Sequence, residues 1–407
     1  MWPSLDLKTD MILEQKNFIC QHFGICGGCS YLDVPYEKQL ELKSQRVTEF
    51  FKKYDIKNAN LLEILPSVEK YFYRNKMEFV FSQENTRPIV GLRQKNKFYR
   101  AIDIKECYLF SLNTGILLDI ARNWADENKI QIYDLKRHKG NLRYLVIRES
   151  KSNGQLMVNV IVSITPYSYE YEFSKVVEIL KNKYLDKGLN IRCMTVGLSD
   201  SKADVALANK NFFVYGEEYI EEKIGKFTYR IFPYTFFQTN TFTCEKLYQT
   251  IKNFVCEEEG TTAIDLFCGS GGISIYVSEI FEKIIGIEQN EKSVQNAYLN
   301  AEINKVTNCE FVNSSSEDFL KKIDLSKFGV KLSTVIVDPP RPGLSKRTLQ
   351  SIVETNPRII IYVSCNLESL LNDLKFLVQF YKIDKVQPVD MFPHTPHLES
   401  VVRLVHR

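Results

Sequence analysis

An α/β protein whose C-terminal part is an open, doubly wound parallel sheet is what this sequence predicts, and three stretches carry the prediction. Arg358-Ile-Ile-Ile-Tyr-Val-Ser-Cys365-Asn366 is a short apolar run rich in β-branched residues, the mark of a strand buried on both faces. It stops at Ser-Cys-Asn, and Leu367-Glu-Ser-Leu-Leu-Asn-Asp-Leu374 resumes with the three- and four-residue spacing of a helix. Ala263-Ile-Asp265-Leu-Phe-Cys-Gly269-Ser-Gly271-Gly272 is a strand followed by a glycine loop, and Thr334-Val-Ile-Val-Asp338-Pro339-Pro340 is an apolar strand ending in a rigid acidic turn. Strand alternating with helix from Thr261 onward is the pattern of a sheet that binds ligands at the carboxyl ends of its strands.

A chain of 407 residues has room for two or three domains, and 44% hydrophobic with 25% charged residues is an ordinary globular balance. The expected division is an N-terminal region of residues 1–70 carrying a cysteine motif, a central β-rich α+β domain of residues 71–230, and a C-terminal α/β domain of residues 231–407. A formal net charge of +3 leaves any nucleic-acid footprint to local clustering. No apolar run approaches the roughly eighteen residues of a membrane span. The first ten residues, Met1 to Asp10, lack a basic region leading into an apolar stretch and do not read as an export signal. Ten cysteines without such a signal point to a reducing cytoplasm and to metal or catalytic use.

Asn17 to Ser30 reads NFICQHFGICGGCS, spacing Cys20, Cys26 and Cys29 as C-x5-C-x2-C with two glycines inside the tight pair. Zinc sites of this kind show a second paired motif downstream, and none follows. With Cys107 as a distant fourth thiol the set suits an iron–sulfur cluster, the alternative being unrelated loop cysteines. Tyr36 to Tyr54 is an amphipathic helix with Leu40, Val47, Phe50 and Phe51 among its apolar positions, its basic residues facing either solvent or RNA. Tyr73-Arg-Asn-Lys76 opens an alternating strand, while Arg143 to Arg148 and Gln155 to Val162 are β-branched runs on either side of a turn at Gly154. With a helix over Phe173 to Tyr184 they predict a central antiparallel sheet, and Arg74, Lys76, Arg93, Arg143 and Arg148 are its candidate RNA contacts. Phe236-Phe237-Gln238-Thr-Asn240 leads into the last domain as either a core corner or a pocket wall.

There the glycine loop brings backbone amides to a helix start, as in Rossmann-like domains. Ile284-Ile-Gly-Ile-Glu288 ends the next strand in a carboxylate suited to ribose hydroxyls. The glycine spacing departs from G-x-G-x-x-G, which tells against NAD. Loop, Glu288 and Asp338-Pro-Pro in this order point instead to S-adenosylmethionine. Enzymes that methylate exocyclic amines tend to place an aromatic residue after the two prolines, and Arg341 stands there. Cys365 precedes a helix N-terminus that favours a thiolate; the readings are a nucleophile or a buried structural thiol. His394, His397 and Glu399 lie among prolines that break any helix aligning them, so an acid or base site is expected rather than a metal site.

Asp265-Leu-Phe-Cys-Gly269, Asp338-Pro-Pro-Arg-x-Gly343, Ser364-Cys-Asn366 and His394-x-x-His-x-Glu399 together resemble the RNA uracil-C5 methyltransferases that make 5-methyluridine. The likeness extends to Phe236–Asn240, Tyr73–Lys76 and the four cysteines. Only nineteen residues precede Cys20, too few for the β-barrel RNA-binding domain that begins many relatives, so the form without it is expected. The resemblance implies Cys365 as nucleophile, Glu399 as base, and Gln238, Phe267, Gly272, Glu288, Ser315 and Asp338 as S-adenosylmethionine contacts. It also implies one [4Fe–4S] cluster on Cys20, Cys26, Cys29 and Cys107, RNA binding for the domain of residues 71–230 and catalysis for that of residues 231–407. Gly272 is often Asn in relatives, so no side-chain contact is expected there, and Phe311 to Ser316 fits the adenine-side loop poorly.

The chemistry needs one thiol and one carboxylate. Uracil C5 is a poor carbon nucleophile until a thiolate adds at C6 and turns the ring into an enolate. The adduct then resolves only after a base removes the C5 proton. The expected activity is methyl transfer to C5 of a uridine lifted from its stack in structured RNA, by a cytoplasmic monomer. Ribosomal RNA of the large subunit (23S) stands ahead of uridine 54 of transfer RNA as substrate. An inactive assembly factor with the same fold and a nicotinamide-dependent oxidoreductase are the competing classes.

Overall fold

A computed structural model describes residues 20–54, 56, 59–163, 170–255, 262–322 and 332–407. The stretch read above for an export signal, residues 17–19 of the cysteine motif and Thr261 lie outside these. Two compact units divide the chain, and they do not follow its order. The described residues of Met1–Asp33, Glu69–Glu222 and Ile231–Tyr234 form one; those of Val34–Val68, Lys223–Arg230 and Thr235–Arg407 form the other. Helix α1 (Tyr36–Lys53) therefore belongs with the C-terminal region, because its Val47 and Phe51 are buried in that region's core.

The first unit is a seven-stranded sheet in the order β3-β2-β1-β4-β5-β6-β7. Its strands are β1 (Lys76–Glu84), β2 (Arg87–Gln94), β3 (Lys97–Asp103), β4 (Leu142–Glu149), β5 (Leu156–Ser163), β6 (Ile191–Ser199) and β7 (Lys210–Gly216). Neighbours are antiparallel except β5 and β6, whose parallel pairing requires the crossover helix α3 (Glu170–Leu185). Helix α2 (Thr114–Glu127) and α3 bury Leu117, Leu118, Trp124, Leu180 and Tyr184 completely. The Trp124 ring meets Phe81 of β1, and its Nε1 donates to the Val176 carbonyl at 2.8 Å.

Central placement of β4 overturns part of the expected RNA footprint. Arg143 and Arg148 are only 2% and 3% exposed. Arg143 donates to the carbonyls of Ser201 and Ala203, at 2.5 and 2.7 Å, and so anchors the segment after β6. Burial depresses the Arg148 pKa to about 10, with Glu78 opposing. Side chains of a strand project to the two faces of its sheet, so what hides these guanidinium groups is what packs on those faces, for Arg143 the segment carrying Ser201 and Ala203.

Strands β8 (Ile220–Ile224) and β9 (Phe227–Ile231) pair as a small separate sheet. The second unit holds a seven-stranded sheet in the order β12-β11-β10-β13-β14-β16-β15. Helix α4 (Thr241–Val255) leads into β10 (Thr262–Leu266), α5 (Gly272–Val277), β11 (Lys283–Glu288), α6 (Glu291–Ile303), β12 (Cys309–Asn313) and α7 (Ser316–Lys322). Then follow β13 (Leu332–Val337), α8 (Lys346–Glu354), β14 (Ile359–Ser364), α9 (Leu367–Leu377), β15 (Tyr381–Val389) and β16 (Glu399–His406). Strands β10 to β14 are parallel, and every residue of β10, β13 and β14 is buried, which accounts for their unbroken apolar runs. β16 returns antiparallel between β14 and β15. The strand order reverses between β10 and β13, and their carboxyl ends define a switch-point crevice. Among the described residues, no helix is long and apolar enough to cross a membrane.

Candidate active site

Register brings the two chemical candidates together. β14 and β16 pair from Ile359 opposite Val405 to Ser364 opposite Ser400. One more step of that register sets Cys365 against Glu399, and opposed residues in such a ladder have Cα atoms about 4.5–5.5 Å apart. Ser364 Oγ donates to the Asn366 carbonyl and accepts from the Asn366 amide, both at 3.1 Å, closing the turn that carries Cys365. Asn366 caps α9 by accepting from the Glu368 amide, and its Nδ2 donates to the Arg341 carbonyl at 3.1 Å. The Asp-Pro-Pro-Arg loop is thereby tied to the Cys365 turn. Asp373 secures the same loop, accepting from the Leu344 amide at 2.8 Å and from the Tyr362 hydroxyl at 2.5 Å. A cavity of about 180 Å³ opens here, lined by Arg46, Arg341, Cys365, Asn366, His397 and Leu398 among others.

The thiolate expected at the helix N-terminus is not favoured. Burial, with the charges of Glu399 and Asp338 adding to it and Arg341 opposing, pushes the Cys365 thiol up to about 11. Burial of the sulfur, and then the carboxylates beside it, outweigh a helix end that begins beyond Asn366. Glu399 is 5% exposed, and its Oε2 has no hydrogen-bond partner among the described residues. Burial, and then the charge of Asp338, hold its carboxyl well above the usual range, with Arg341 opposing. The site thus sets a thiol and a carboxyl, whose charged forms burial disfavours, beside the exposed cations Arg341 and Arg46.

The expected cofactor residues gather at the switch point. Phe267 follows β10, and its φ of +63° puts a non-glycine residue in the left-handed region, turning the chain into the glycine loop. Asp338 follows β13, is raised by burial and by Asp265, and accepts from Gln238 Nε2 at 3.2 Å. Glu288 ends β11 and accepts from the amides of Gly269 and Asn290, at 3.2 and 2.7 Å, so it braces the loop directly. Gly272 is closed off: a Cβ there would lie 2.4 Å from the Tyr248 hydroxyl. Ser315 is occupied locally, since its Oγ donates to Asp318 Oδ2 and accepts from the Asp318 amide at the start of α7.

One part of the site escaped the sequence reading. Tyr36, Gln39, Lys43, Val47 and Phe51 form the buried stripe of α1, whereas Leu40 and Phe50 are only partly buried. Lys43 Nζ lies 2.6 Å from Asp390 Oδ1 and donates to the Phe392 carbonyl at 3.0 Å; the Tyr36 hydroxyl donates to Asp390 Oδ2 at 2.9 Å. Gln39 Oε1 accepts from the His394 amide at 2.8 Å, and its Nε2 meets His394 Nδ1 at 3.1 Å. These contacts fix the loop that runs from β15 to Glu399. The available signal was two polar residues sharing a helical stripe with Tyr36 and Val47.

The four cysteines of the proposed cluster all fall in the first unit. Burial raises the Cys29 thiol, and its next influences are Cys107, Cys26 and Cys20, so the four share one neighbourhood. Among the described residues, however, no group of three or more His, Cys, Asp or Glu side chains stands in a metal-holding arrangement. The sulfurs are near one another without being drawn to ligand spacing.

A glycine loop, acidic strand ends and a thiol at the carboxyl edge of a doubly wound sheet define a group-transferring enzyme with a nucleotide-like cofactor. Comparisons with known proteins sharpen that class. The model of the family described as tRNA (uracil-5-)-methyltransferase matches residues 35–407. An RNA methyltransferase of Clostridium tetani is 36% identical over 392 residues, covering 95% of this chain and 83% of that protein. The tRNA (uracil(54)-C(5))-methyltransferase of Pyrococcus horikoshii is 32% identical over 386 residues, covering 95% and 85%. Among solved structures, Pyrococcus abyssi tRNA (uracil-54, C5)-methyltransferase with S-adenosyl-L-homocysteine superposes with a TM-score of 0.74 at 29% identity, covering 93% of this chain and 86% of that one. The chain belongs to the tRNA (uracil-5-)-methyltransferase family and is an S-adenosylmethionine-dependent RNA methyltransferase with the α/β methyltransferase fold.

Proposed function

We propose that this enzyme methylates C5 of a uridine in transfer RNA, with uridine 54 as its target. The observation that carries the chemistry is the register that sets Cys365 beside Glu399, whose buried Oε2 has no partner among the described residues. The substrate follows the two archaeal relatives above, both named for uracil 54 of tRNA. The expectation of 23S ribosomal RNA finds no support among these named relatives, which favour the alternative substrate, transfer RNA.

In this reading Cys365 gives its proton to water in the cavity it lines, and the thiolate Sγ bonds to C6 of the target uracil, leaving an enolate with nucleophilic C5. Arg341, which lowers the thiol's pKa, assists the ionisation. S-adenosylmethionine, when bound, supplies the methyl group that C5 takes up. Gln238, Phe267, Gly272, Glu288 and Asp338 would hold it, Gly272 through backbone alone, and Ser315 is the weakest member because its hydroxyl already caps α7. Glu399 acts in its carboxylate form, which the Arg341 charge favours against burial, and removes the C5 proton; the C5–C6 double bond re-forms, and the C6–S bond breaks to return Cys365 as a thiolate.

The same proposal gives Cys20, Cys26, Cys29 and Cys107 one [4Fe–4S] cluster, supported by the C-x5-C-x2-C spacing and the mutual influence of the thiols. About four irons per chain with brown colour, in protein purified without oxygen, supports it; stoichiometric zinc without visible absorbance removes it. The enzyme acts as a monomer in the reducing cytoplasm.

The test of the main reading is methyl transfer from radiolabelled S-adenosylmethionine to purified tRNA and ribosomal RNA, followed by mapping of 5-methyluridine. Label in tRNA at position 54 is expected, and label confined to ribosomal RNA overturns the substrate. Cys365→Ala should form no covalent RNA adduct. Glu399→Gln should accumulate a methylated adduct that survives denaturing electrophoresis, because loss of a positioned base costs ~10²–10⁴-fold. Turnover of Glu399→Gln at the wild-type rate would remove Glu399 as the base and make His397 the next candidate.

A further inference from the structure

One face of the first unit's sheet is covered by α2 and α3, and a small apolar cluster of Val80, Ile89, Ala101, Tyr144, Val146 and Ile161 lies apart from them, with Ala206 packed against it. Beside that cluster a cavity of about 340 Å³ opens between the β2–β3 hairpin and the turn formed by residues 133–139. Its walls are aromatic and cationic. The Arg143 guanidinium lies 4.4 Å from the centre of the Tyr133 ring, and Lys136 Nζ lies 5.3 Å from that of Tyr99, which is 56% exposed. Arg143 is almost wholly buried, yet its Nε has no hydrogen-bond partner among the described residues.

The carboxylates nearby are already engaged. Asp204 accepts from Arg93 Nη2 at 2.6 Å and from the Tyr144 hydroxyl, and Asp134 accepts from the amides of Lys136 and Arg137 at 2.7 and 3.0 Å. The two turns flanking the cavity expose Lys95, Lys97, Arg100, Lys136, Arg137 and Lys139. In a chain of net charge +3, six exposed cations on two adjoining turns are a local concentration of positive potential. Aromatic faces beside guanidinium groups stack any nucleobase, and exposed lysines at the mouth suit the flanking phosphates.

We propose that this cavity is a second nucleotide-binding site, taking one unstacked base of the RNA substrate against Tyr99 and Tyr133 while the two basic turns hold the adjacent phosphates. It rests on the reading of RNA as substrate, and it assigns the first unit a share in choosing which RNA is held. Lys136 and Tyr99 both line the cavity, so a base stacking on Tyr99 would exchange a cation–π contact for a stack.

The experiment uses the full chain, with Tyr99→Ala, Tyr99→Phe and Lys136→Ala. Filter binding of an unmodified tRNA transcript over a range of salt gives affinity and salt slope, and calorimetry with S-adenosylmethionine checks that each variant is folded. Loss of one base–aromatic stack should weaken tRNA binding by Tyr99→Ala roughly 5–100-fold, with Tyr99→Phe close to wild type. Lys136→Ala should lower the slope of log K against log salt by about one. Wild-type affinity of Tyr99→Ala, with the wild type still methylating tRNA, overturns the cavity alone. Failure of the wild type to bind or methylate any RNA overturns the substrate reading, and the cavity with it.

Discussion

The pair formed by Lys43 and Asp390 is the point where the structure predicts a large effect from a residue remote from the chemistry. Both side chains are at most 1% exposed, with Nζ 2.6 Å from Oδ1. Asp390 also accepts from the Tyr36 hydroxyl at 2.9 Å and the Phe392 amide at 3.2 Å, and Lys43 donates to the Phe392 carbonyl. Lys43→Met removes the cation and leaves a buried carboxylate without its counter-charge, a change that costs about 3–5 kcal/mol. Spread over a unit of this size, that is a fall in melting temperature of roughly 6–20 °C. Adding Asp390→Asn should restore much of the loss, since Asn keeps the acceptor for Tyr36 but carries no charge to strand. The same loop leads into Glu399, so methyl transfer should decline at temperatures where the Lys43→Met protein is still folded. Differential scanning calorimetry of the three variants, with transfer rates measured 10–15 °C below each midpoint, separates the two effects. A Lys43→Met midpoint within about 1 °C of wild type would refute the argument that this pair secures the loop.

Three further outcomes are expected. Arg341 is the cation that lowers the Cys365 pKa, so Arg341→Gln should slow alkylation of Cys365 by iodoacetamide at pH 8, followed peptide by peptide; an unchanged rate would separate Arg341 from the thiol. Burial raises Asp265 from 3.8 to about 7 in the folded protein, so the folded state keeps a proton that the unfolded chain releases between those values. Stability from this group therefore falls as pH rises from about 4 to 7, and Asp265→Asn should gain on wild type in melting temperature between pH 5 and 8; a constant difference contradicts this. Gly272→Ala would place a Cβ 2.4 Å from the Tyr248 hydroxyl, which should lower stability by about 1–3 kcal/mol, with partial rescue by Tyr248→Phe; a wild-type denaturation midpoint for Gly272→Ala would show that Tyr248 moves aside freely.

Much of the second unit was determined by local sequence. Ile359–Ser364 and Leu332–Val337 are strands because unbroken β-branched runs of that length suit positions buried on both faces. The glycine loop, Glu288 and Asp338 fall at strand ends because residue chemistry changes abruptly where a buried strand meets solvent. What only the tertiary structure decided is everything that depends on which strand lies beside which. Antiparallel return of β16 sets Glu399 against Cys365, and burial beside two carboxylates raises a thiol that a helix N-terminus was expected to lower. Arg143 and Arg148 look like surface cations in a linear reading and are buried, Arg143 beneath the segment that carries Ser201 and Ala203. Lys43 and Gln39 look like the solvated side of a helix until α1 packs with the segment around Asp390 and His394. The reason is common to all of them: periodicity and turn chemistry report on a residue's immediate neighbours, whereas burial and charge pairing are set by partners far along the chain, 58 residues away for Arg143 and Ser201 and 347 for Lys43 and Asp390.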